Sequence, residues 1–224
     1  MIIAIDGPAA SGKSTTAKGV SHILGIPYLD TGAMYRAITH IVLTKKFNID
    51  DPLELKTLLN GIQIRFEIIK DENCIFINNK NVSSLIRSSD VTSNVSAVSA
   101  IPEIRESMVG LQRKIGRENG CVIEGRDIGT VVFPNADFKF FLVADVKVRA
   151  ERRLLDLEKI GETKSLNELM NEIEKRDLLD SSRDHSPLIK AKDAIEINTG
   201  LLTINEQIEQ IVKHITNIQN NKGN

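Results

Sequence analysis

Cysteine is scarce in this 224-residue chain, and the two cysteines present, Cys74 and Cys121, lack the spacing of a metal site. We therefore expect two buried thiols in a reducing compartment, with neither a disulfide nor a zinc centre. No segment approaches the roughly 18 consecutive apolar residues that a membrane span requires. The apolar start of the chain meets Asp6 at once, so it lacks the core of a signal peptide. These absences lead us to expect a cytoplasmic protein without a membrane partner.

A charge excess is absent as well. The 29 basic and 30 acidic side chains give a formal net charge of −1 and a sequence pI of about 6.4. This balance gives no reason to expect nucleic acid as a partner, and any cationic site must be local. Hydrophobic residues make up 41% and charged residues 26% of the chain, so a packed core can form. The length favours one domain with inserted pieces over two independent domains.

Short apolar segments alternate with helical periodicity along much of the chain. Residues 2–5 and 28–30 are typical of buried strands, and helical spacing of apolar residues follows each, at 13–24 and 33–44. Strand, turn, helix and strand are the start of a parallel α/β sheet. The pattern returns later, with strands predicted at 121–123, 138–143 and 194–197, and helices predicted at 103–118, from 166 and from 204.

The middle of the chain interrupts this alternation. Residues 62–69 and 74–77 have the pattern of two antiparallel strands around a polar turn at 70–73, and we interpret 61–99 as an insertion. A charge-rich stretch at 148–164 suits a mobile lid and a solvated helix face equally well. The tail at 217–224 is polar and is expected to fray.

The turn after the first strand carries the strongest motif in the chain. Residues 7–14, GPAASGKS, match the phosphate-binding loop pattern G-x-x-x-x-G-K-[ST]. At average composition this pattern would arise by chance in about one chain of this length in a hundred. Its glycines let backbone N–H groups turn onto phosphate oxygens, Lys13 can reach the β- and γ-phosphates, and Ser14 can bind Mg²⁺. The residues predicted to bind ATP are Gly7, Pro8, Ala9, Ala10, Ser11, Gly12, Lys13, Ser14 and Thr15.

A phosphate-binding loop alone does not name a reaction. A GTPase would also need an Asn-Lys-x-Asp motif, and the nearest candidate, beginning at Asn79, has Val82 where the aspartate should stand. This absence favours a small kinase with a second phosphate pocket. Glu124 and Asp30 both end predicted strands, and the sequence leaves open which of them would hold a metal-bound water.

Arginines are placed where such a second pocket would lie. Arg126 with Asp127 follows a predicted strand and Arg36 lies early in a predicted helix, so we expect both arginines near the carboxyl edge of the sheet. Arg176, Asp180 and Arg183 are spaced by four and three, which would put them on one helix face; an ordinary surface ion pair is the alternative. The arginines of the charge-rich stretch are Arg149, Arg152 and Arg153.

Four segments of the chain are those of a known family: IDGPAASGKS at 5–14, LDTGAMYR at 29–36, EGRDIGTVVFP at 124–134 and KRDLLDSSRDHSPL at 175–188. On these segments the chain resembles bacterial cytidylate kinases over nearly its whole length. The resemblance implies a kinase core at 1–30, 100–147 and 165–224. It also implies an acceptor-binding region at 31–99, with the insert at about 61–99, and a lid at 148–164.

The resemblance further implies transfer of the γ-phosphoryl group of Mg-ATP to CMP or dCMP. Arg36 and Arg126 would hold the acceptor phosphate, and Asp127 with Arg105 would read the cytosine edge. The acceptor site implied comprises Thr31, Arg36, Ser96, Arg105, Arg126, Asp127, Arg176, Asp180 and Arg183. The catalytic residues implied are Lys13, Arg126 and Arg153.

Two other readings stay open at this point. A related kinase could act on a different small acceptor, such as UMP, and a nucleotide sensor could bind ATP without rapid transfer. Several acceptor-side arginines count against a sensor, because a sensor needs only one phosphate site. We expect a monomer, because a lid and an insert must both move.

Overall fold

A computed structural model describes residues 1–70, 72–159 and 161–222. In chain order the elements are β1 (Ile2–Asp6), α1 (Lys13–Leu24), β2 (Tyr28–Asp30), α2 (Thr31–Lys45), α3 (Pro52–Gly61), β3 (Ile64–Ile69), β4 (Glu72–Ile77), β5 (Lys80–Asn81), α4 (Ser89–Ala100), α5 (Pro102–Asn119), β6 (Cys121–Gly125), β7 (Phe138–Val143), α6 (Val146–Glu158), α7 (Leu166–Ser181), β8 (Ile195–Asn198) and α8 (Ile204–Lys222). The chain forms two compact units, one made of residues 1–30 with 113–224 and the other of residues 31–112.

The first unit is built on a five-stranded parallel sheet with the strand order β2-β6-β1-β7-β8. Its central strand β1 buries Ile3, Ala4 and Ile5 completely, as expected for a strand covered on both faces. Helices α1 and α8 pack together, and Val20 and Ile211 belong to the same apolar core as the strands. All five strands run in one direction, so their carboxyl ends share one edge of the sheet.

The second unit combines helices with a small antiparallel sheet of order β3-β4-β5. Strands β3 and β4 pair from Ile64 opposite Ile77 to Ile69 opposite Glu72. Helix α2 packs against α4, and residues such as Ile38 are fully buried there. Both sheets are present, so the predicted combination of a parallel sheet with a small antiparallel pair is confirmed.

Two helices of the structure, α3 and α4, were not predicted from the sequence. Helix α3 begins after Asp51, whose carboxylate accepts the N–H groups of Leu53 and Glu54, with Pro52 in the first turn. This is a recognisable helix start. Helix α4 lies inside the segment predicted as an insert at 61–99 and is rich in serine and valine, which are weak helix formers.

Two boundaries also differ from the predictions. Strand β3 begins at Ile64, two residues later than predicted. Helix α8 continues to Lys222, so the expectation that the tail frays from 217 was wrong over its described part. Ile218 explains the difference, because it packs against the core and continues the apolar stripe of the helix. The end of that tail (223–224), residue 71 of the predicted turn and residue 160 of the predicted lid lie outside the described residues.

Two further expectations can be compared with the structure. Cys74 and Cys121 are both buried free thiols, and burial raises the pKa of Cys121 to about 12. Among the described residues, no helix has the length and apolar character needed to cross a bilayer. The division into a core, an acceptor-binding region at 31–99 and a lid at 148–164 stays a prediction.

The contact between α1 and α8 makes Gly19 a sensitive position. A Cβ atom at Gly19 would lie 2.2 Å from Cδ1 and 2.8 Å from Cγ1 of Ile208, so the Ile208 side chain or one of the two helices would have to shift. We expect Gly19→Ala to lower the free energy of unfolding by about 1–3 kcal/mol, as overpacking of a core does. Urea denaturation measures this change.

Gly110→Ala is the matched control. Gly110 lies inside α5 with no heavy atom within 4 Å of the added Cβ, so the same change should stabilise the protein by about 0.5–1 kcal/mol through helix propensity. Equal stability of the two variants would contradict the packing described for α1 and α8.

Candidate active site

The loop between β1 and α1 has the backbone shape that its glycines allow. Gly7 and Gly12 adopt φ angles of 149° and 91°, and Ala10 is also positive at 56°. A Cβ atom at Gly7 would lie 2.2 Å from the carbonyl oxygen of Leu142 on β7, so the loop is in close contact with the sheet. Helix α1 begins at Lys13 and presents its N-terminal N–H groups to this loop. The motif therefore has the geometry of a phosphate-binding loop.

Lys13 is folded into the loop. Its Nζ donates to the carbonyl oxygen of Pro8 at 2.6 Å and to Oγ of Ser11 at 3.3 Å, and the residue is only 5% exposed. Burial lowers the pKa of Lys13 to about 7, and the positive charge of Arg126 acts in the same direction. The negative charge of Glu124 acts in the opposite direction. An anion bound here would restore the lysine's charge.

Side chains of α6 and α7 hold the loop from outside. Asp177 Oδ1 accepts the N–H of Ala9 at 3.1 Å, and Arg149 Nη1 donates to the carbonyl oxygen of Ala9 at 3.1 Å. Arg149 and Asp177 are also paired with each other. Both backbone groups of Ala9 are thus fixed by one partly buried ion pair, which was not predicted as part of the site.

A second contact fixes the loop at Ser11. Oγ1 of Thr199 lies 2.8 Å from the carbonyl oxygen of Ser11, and Arg152 donates to the oxygens of Thr199 at 3.1 and 2.7 Å. Arg149 is buried and donates to Ala9, so it does not lie on a solvated helix face, which was one alternative for the charge-rich stretch. Arg153 lies half-buried on the same helix and, within the described part of the chain, makes no side-chain hydrogen bond or ion pair.

The buried carboxylate of Asp180 lies among three arginines of the first unit, Arg126, Arg176 and Arg183. Asp180, 2% exposed, accepts from Arg126 Nε at 2.8 Å and from Arg183 Nη2 at 2.5 Å. Burial alone would raise the pKa of Asp180, but Arg126, Arg183 and Arg176 together hold it below its usual value. The predicted group of Arg126, Arg176, Asp180 and Arg183 is therefore brought together.

The prediction that one helix face carries this group was wrong for Arg183. Helix α7 ends at Ser181, and Ser182 leaves the helical conformation with ψ at 8°. The chain then turns back, so that the N–H of Leu188 donates to the carbonyl oxygen of Asp180 at 2.9 Å. Arg183 reaches Asp180 from this turn instead.

Glu124 and Asp30 lie side by side, since they are register partners in β6 and β2. Burial and the neighbouring charge of Asp30 raise the pKa of Glu124, which is hydrogen-bonded to Ser14 and to Tyr28. The hydroxyl of Tyr28 donates a hydrogen bond to Glu124. Tyr28 was not among the predicted site residues. Its place two residues before Asp30 was the available signal, since it follows that Tyr28 faces the same side of β2 as Asp30.

The remaining predicted site residues belong to the second unit. Thr31 and Arg36 lie in the first turns of α2, and Ser96 lies on α4. Arg105 Nη1 donates to the carbonyl oxygen of Ser99 at 3.1 Å, and its guanidinium lies 5.3 Å from the ring centre of Tyr35. Arg105 is only 4% exposed, so its charge is held inside this unit.

The comparisons with known proteins agree with this geometry. The family model for cytidylate kinase matches residues 3–217, nearly the whole chain. The chain belongs to the cytidylate kinase family. A cytidylate kinase from Listeria innocua is 49% identical over 210 residues, covering 94% of this chain and 93% of the relative. The resemblance inferred from the four sequence segments is confirmed.

Further relatives of the family agree. Cytidylate kinases from Ligilactobacillus salivarius and Lactobacillus gasseri are 46% and 45% identical, covering 95% and 99% of this chain and 95% and 96% of theirs. A solved structure of an uncharacterized protein from Eubacterium ventriosum matches with a TM-score of 0.54 and 19% identity, over 97% of this chain and 98% of that one. At this identity the solved structure supports the fold alone.

The lowered pKa of Lys13 predicts proton uptake when ATP binds. Phosphate oxygens favour the charged amine, so they move its pKa from about 7 in the ligand-free protein back towards the ordinary 10.5. At a pH between these values, binding should take up roughly 0.5–1 proton. Calorimetric titration with ATP at pH 8 in two buffers of different ionisation enthalpy measures the uptake.

Lys18→Met and Lys13→Met separate this effect from other causes. Lys18 lies on the exposed side of the same helix, so its loss should leave the proton uptake unchanged, whereas loss of Lys13 should abolish it. A binding enthalpy that does not depend on the buffer in the unmodified protein would contradict the account of Lys13.

Proposed function

We propose that this protein transfers the γ-phosphoryl group of ATP to CMP and dCMP, giving CDP and dCDP. As a member of the cytidylate kinase family, the chain is a phosphotransferase. The observation that carries the proposal is the gathering of Lys13, Arg126, Arg176 and Arg183 near the carboxyl edge of the parallel sheet, next to the phosphate-binding loop. Such a density of buried and half-buried cations suits two phosphate groups better than one.

Charge stabilisation accounts for the chemistry. Phosphoryl transfer spreads negative charge over the moving group, and catalysis consists largely of positioning that group and stabilising its charge. Lys13 would meet the β- and γ-phosphates of ATP, and Arg126, which repels Lys13 in the ligand-free protein, would meet the acceptor side. The acceptor phosphate oxygen is already ionised, so no general base is needed. Arg153 as a third catalytic cation stays a prediction from the resemblance.

Mg²⁺ is the cofactor that this chemistry uses, and residues of the first unit fit it. Ser14 offers a hydroxyl beside the carboxylate of Glu124, and Asp30 lies next to Glu124 in the sheet. Hydroxyl, carboxylate and water oxygens are the ligands that Mg²⁺ prefers. When bound with ATP, the ion neutralises charge on the β- and γ-phosphates. We infer that Ser14 and Glu124 face the ion, because their side chains are hydrogen-bonded to each other. We also infer that the hydrogen bond from Tyr28 orients Glu124.

Base selection is assigned to a carboxylate and an arginine. Cytosine presents a 4-amino donor where uracil presents a carbonyl, so the carboxylate of Asp127 would accept from cytosine and repel uracil. Arg105 would donate to the pyrimidine edge. The acceptor-binding roles of Thr31, Arg36, Ser96 and Arg105 remain predictions from the resemblance.

We also propose that the protein is a cytoplasmic monomer whose partners are its small-molecule substrates.

A panel of acceptors tests the proposal. ADP formation from Mg-ATP would be measured with CMP, dCMP, UMP, AMP, GMP, dTMP and no acceptor. We expect fast turnover with CMP and dCMP, weak turnover with UMP and none with purine nucleotides. A protein that binds ATP but shows no acceptor-dependent turnover would be a nucleotide sensor, and preference for another acceptor would discard the assignment of Asp127.

Asp127→Ala tests base selection directly. Removing the carboxylate removes the group that discriminates the 4-amino group, so the CMP-to-UMP ratio of kcat/KM should narrow about tenfold or more, which corresponds to about 1–3 kcal/mol for an unpaired buried polar group. Steady-state kinetics with both acceptors measure the ratio. Asp50→Ala, which removes an exposed carboxylate of the second unit, is the control and should leave it unchanged. An unchanged ratio in Asp127→Ala would remove this residue from base reading.

A further inference from the structure

Asp6 is a buried carboxylate that the proposed chemistry does not use. It ends β1, directly before the phosphate-binding loop, and is 4% exposed. Its Oδ1 accepts the N–H of Ile128 at 2.9 Å, and its Oδ2 accepts the N–H of Gly129 at 2.7 Å. Both oxygens thus bind consecutive backbone groups of the segment that directly follows Arg126 and Asp127.

That segment is a single wide turn held at its other end by a different side chain. The N–H groups of Val131 and Val132 donate to the carbonyl oxygen of Asp127 at 2.8 and 3.1 Å. Arg113 donates to the carbonyl oxygens of the same two valines at 2.8 and 2.9 Å. Asp6 therefore binds the start of the turn and Arg113 its end, so side-chain hydrogen bonds hold the turn at both ends.

The contacts of Asp6 are poorly explained by stability alone. Burial raises the pKa of Asp6 to about 6, although the two backbone N–H groups act in the opposite direction. A carboxylate whose pKa is raised above its ordinary 3.8 stabilises the fold less as the pH rises from about 4 to 6, so its ionised form is retained at a cost. Buried groups kept at such a cost are often found at functional sites.

A role as counter-charge for Lys13 explains less than the backbone contacts do. Burial and the N–H groups of Gly129 and Ile128 affect the pKa of Asp6 more than the charge of Lys13 does, and the like charge of Asp127 also comes before Lys13. The strongest favourable contacts of Asp6 are the two N–H groups of the turn.

We propose that Asp6 is a positioning residue, which fixes the backbone of 127–129 so that Arg126 and Asp127 are held ready for the acceptor nucleotide. The inference rests on the proposed function in that these two residues contact the acceptor. It adds a direct link between the strand that carries the ATP-binding loop and the turn that carries the acceptor-binding residues. Changes at Asp6 should therefore alter acceptor use much more than ATP binding.

Asp6→Asn tests the link with little change of shape. The amide can accept one N–H through its oxygen, but its NH₂ group then faces the second N–H, so the turn loses one acceptor. We expect KM for CMP to rise about tenfold and the CMP-to-UMP ratio to narrow, while the Kd for ATP changes less than about threefold. Hydrogen exchange at the amides of Ile128 and Gly129 should become faster in the absence of any nucleotide.

Two more variants separate positioning from general damage. Asp51→Asn makes the same change at a carboxylate that also accepts two backbone N–H groups, those of Leu53 and Glu54 in the second unit, and should leave all kinetic constants unchanged. Gly129→Ala crowds the turn without replacing Asp6, since its Cβ would lie 3.4 Å from Oδ2 of Asp6 and 3.1 Å from Cδ of Lys139, whose amine is held by Pro134 and Asp193. This variant should raise KM for CMP in the same direction.

The outcomes distinguish this inference from the proposed function. Equal losses for ATP and CMP, or unchanged hydrogen exchange at 128 and 129 in Asp6→Asn, would overturn the positioning role. Absent turnover of CMP in the unmodified protein would instead overturn the proposed function, and the exchange measurement would still decide whether Asp6 fixes the turn. If Asp6→Asn does not fold, Gly129→Ala decides the kinetic part, and normal acceptor kinetics in that variant would refute it.

Discussion

Mutual repulsion between the buried Lys13 and the half-buried arginines around it is the constraint on which this site depends. Arg126 and Arg176 both act on Lys13 near the carboxyl edge of one sheet, and burial with the charge of Arg126 lowers the pKa of Lys13 to about 7. Asp180 partly offsets the repulsion, since Arg126, Arg183 and Arg176 hold its pKa below the usual value. The fold tolerates this arrangement because phosphate groups of the substrates would complete it. Stability is thus exchanged for readiness to bind anions.

The other contacts of the first unit keep these charges in place. The phosphate-binding loop is fixed at Ala9 by a partly buried ion pair between α6 and α7, and at Ser11 by Thr199. Asp6 fixes the turn after Arg126 in a comparable way. In each case a side chain binds backbone groups, so the position of the backbone does not depend on bound substrate. This is the preorganisation that electrostatic catalysis requires.

Much of this could be read from the sequence. The strands were predictable because parallel, doubly covered strands are continuously apolar, and the loop was predictable because its glycines and Lys13 have fixed spacing. The contacts of Arg149 with Ala9 were not, because 140 residues separate them and nothing local records the pairing. Arg183 was placed on a helix because spacing cannot show where a helix ends. Asp51 before Pro52 was a helix start that could have been recognised.

The central claim is that Lys13 and Arg126 meet the charge on the phosphoryl group during transfer. A crystal structure with ADP, CMP, Mg²⁺ and aluminium fluoride, which imitates the transferring group, tests it most directly. The account predicts that Nζ of Lys13 and the guanidinium of Arg126 both lie within about 3 Å of the fluoride ligands or the adjoining phosphate oxygens. Aluminium fluoride bound between the nucleotides, with either of these two cations directed elsewhere, would contradict the account.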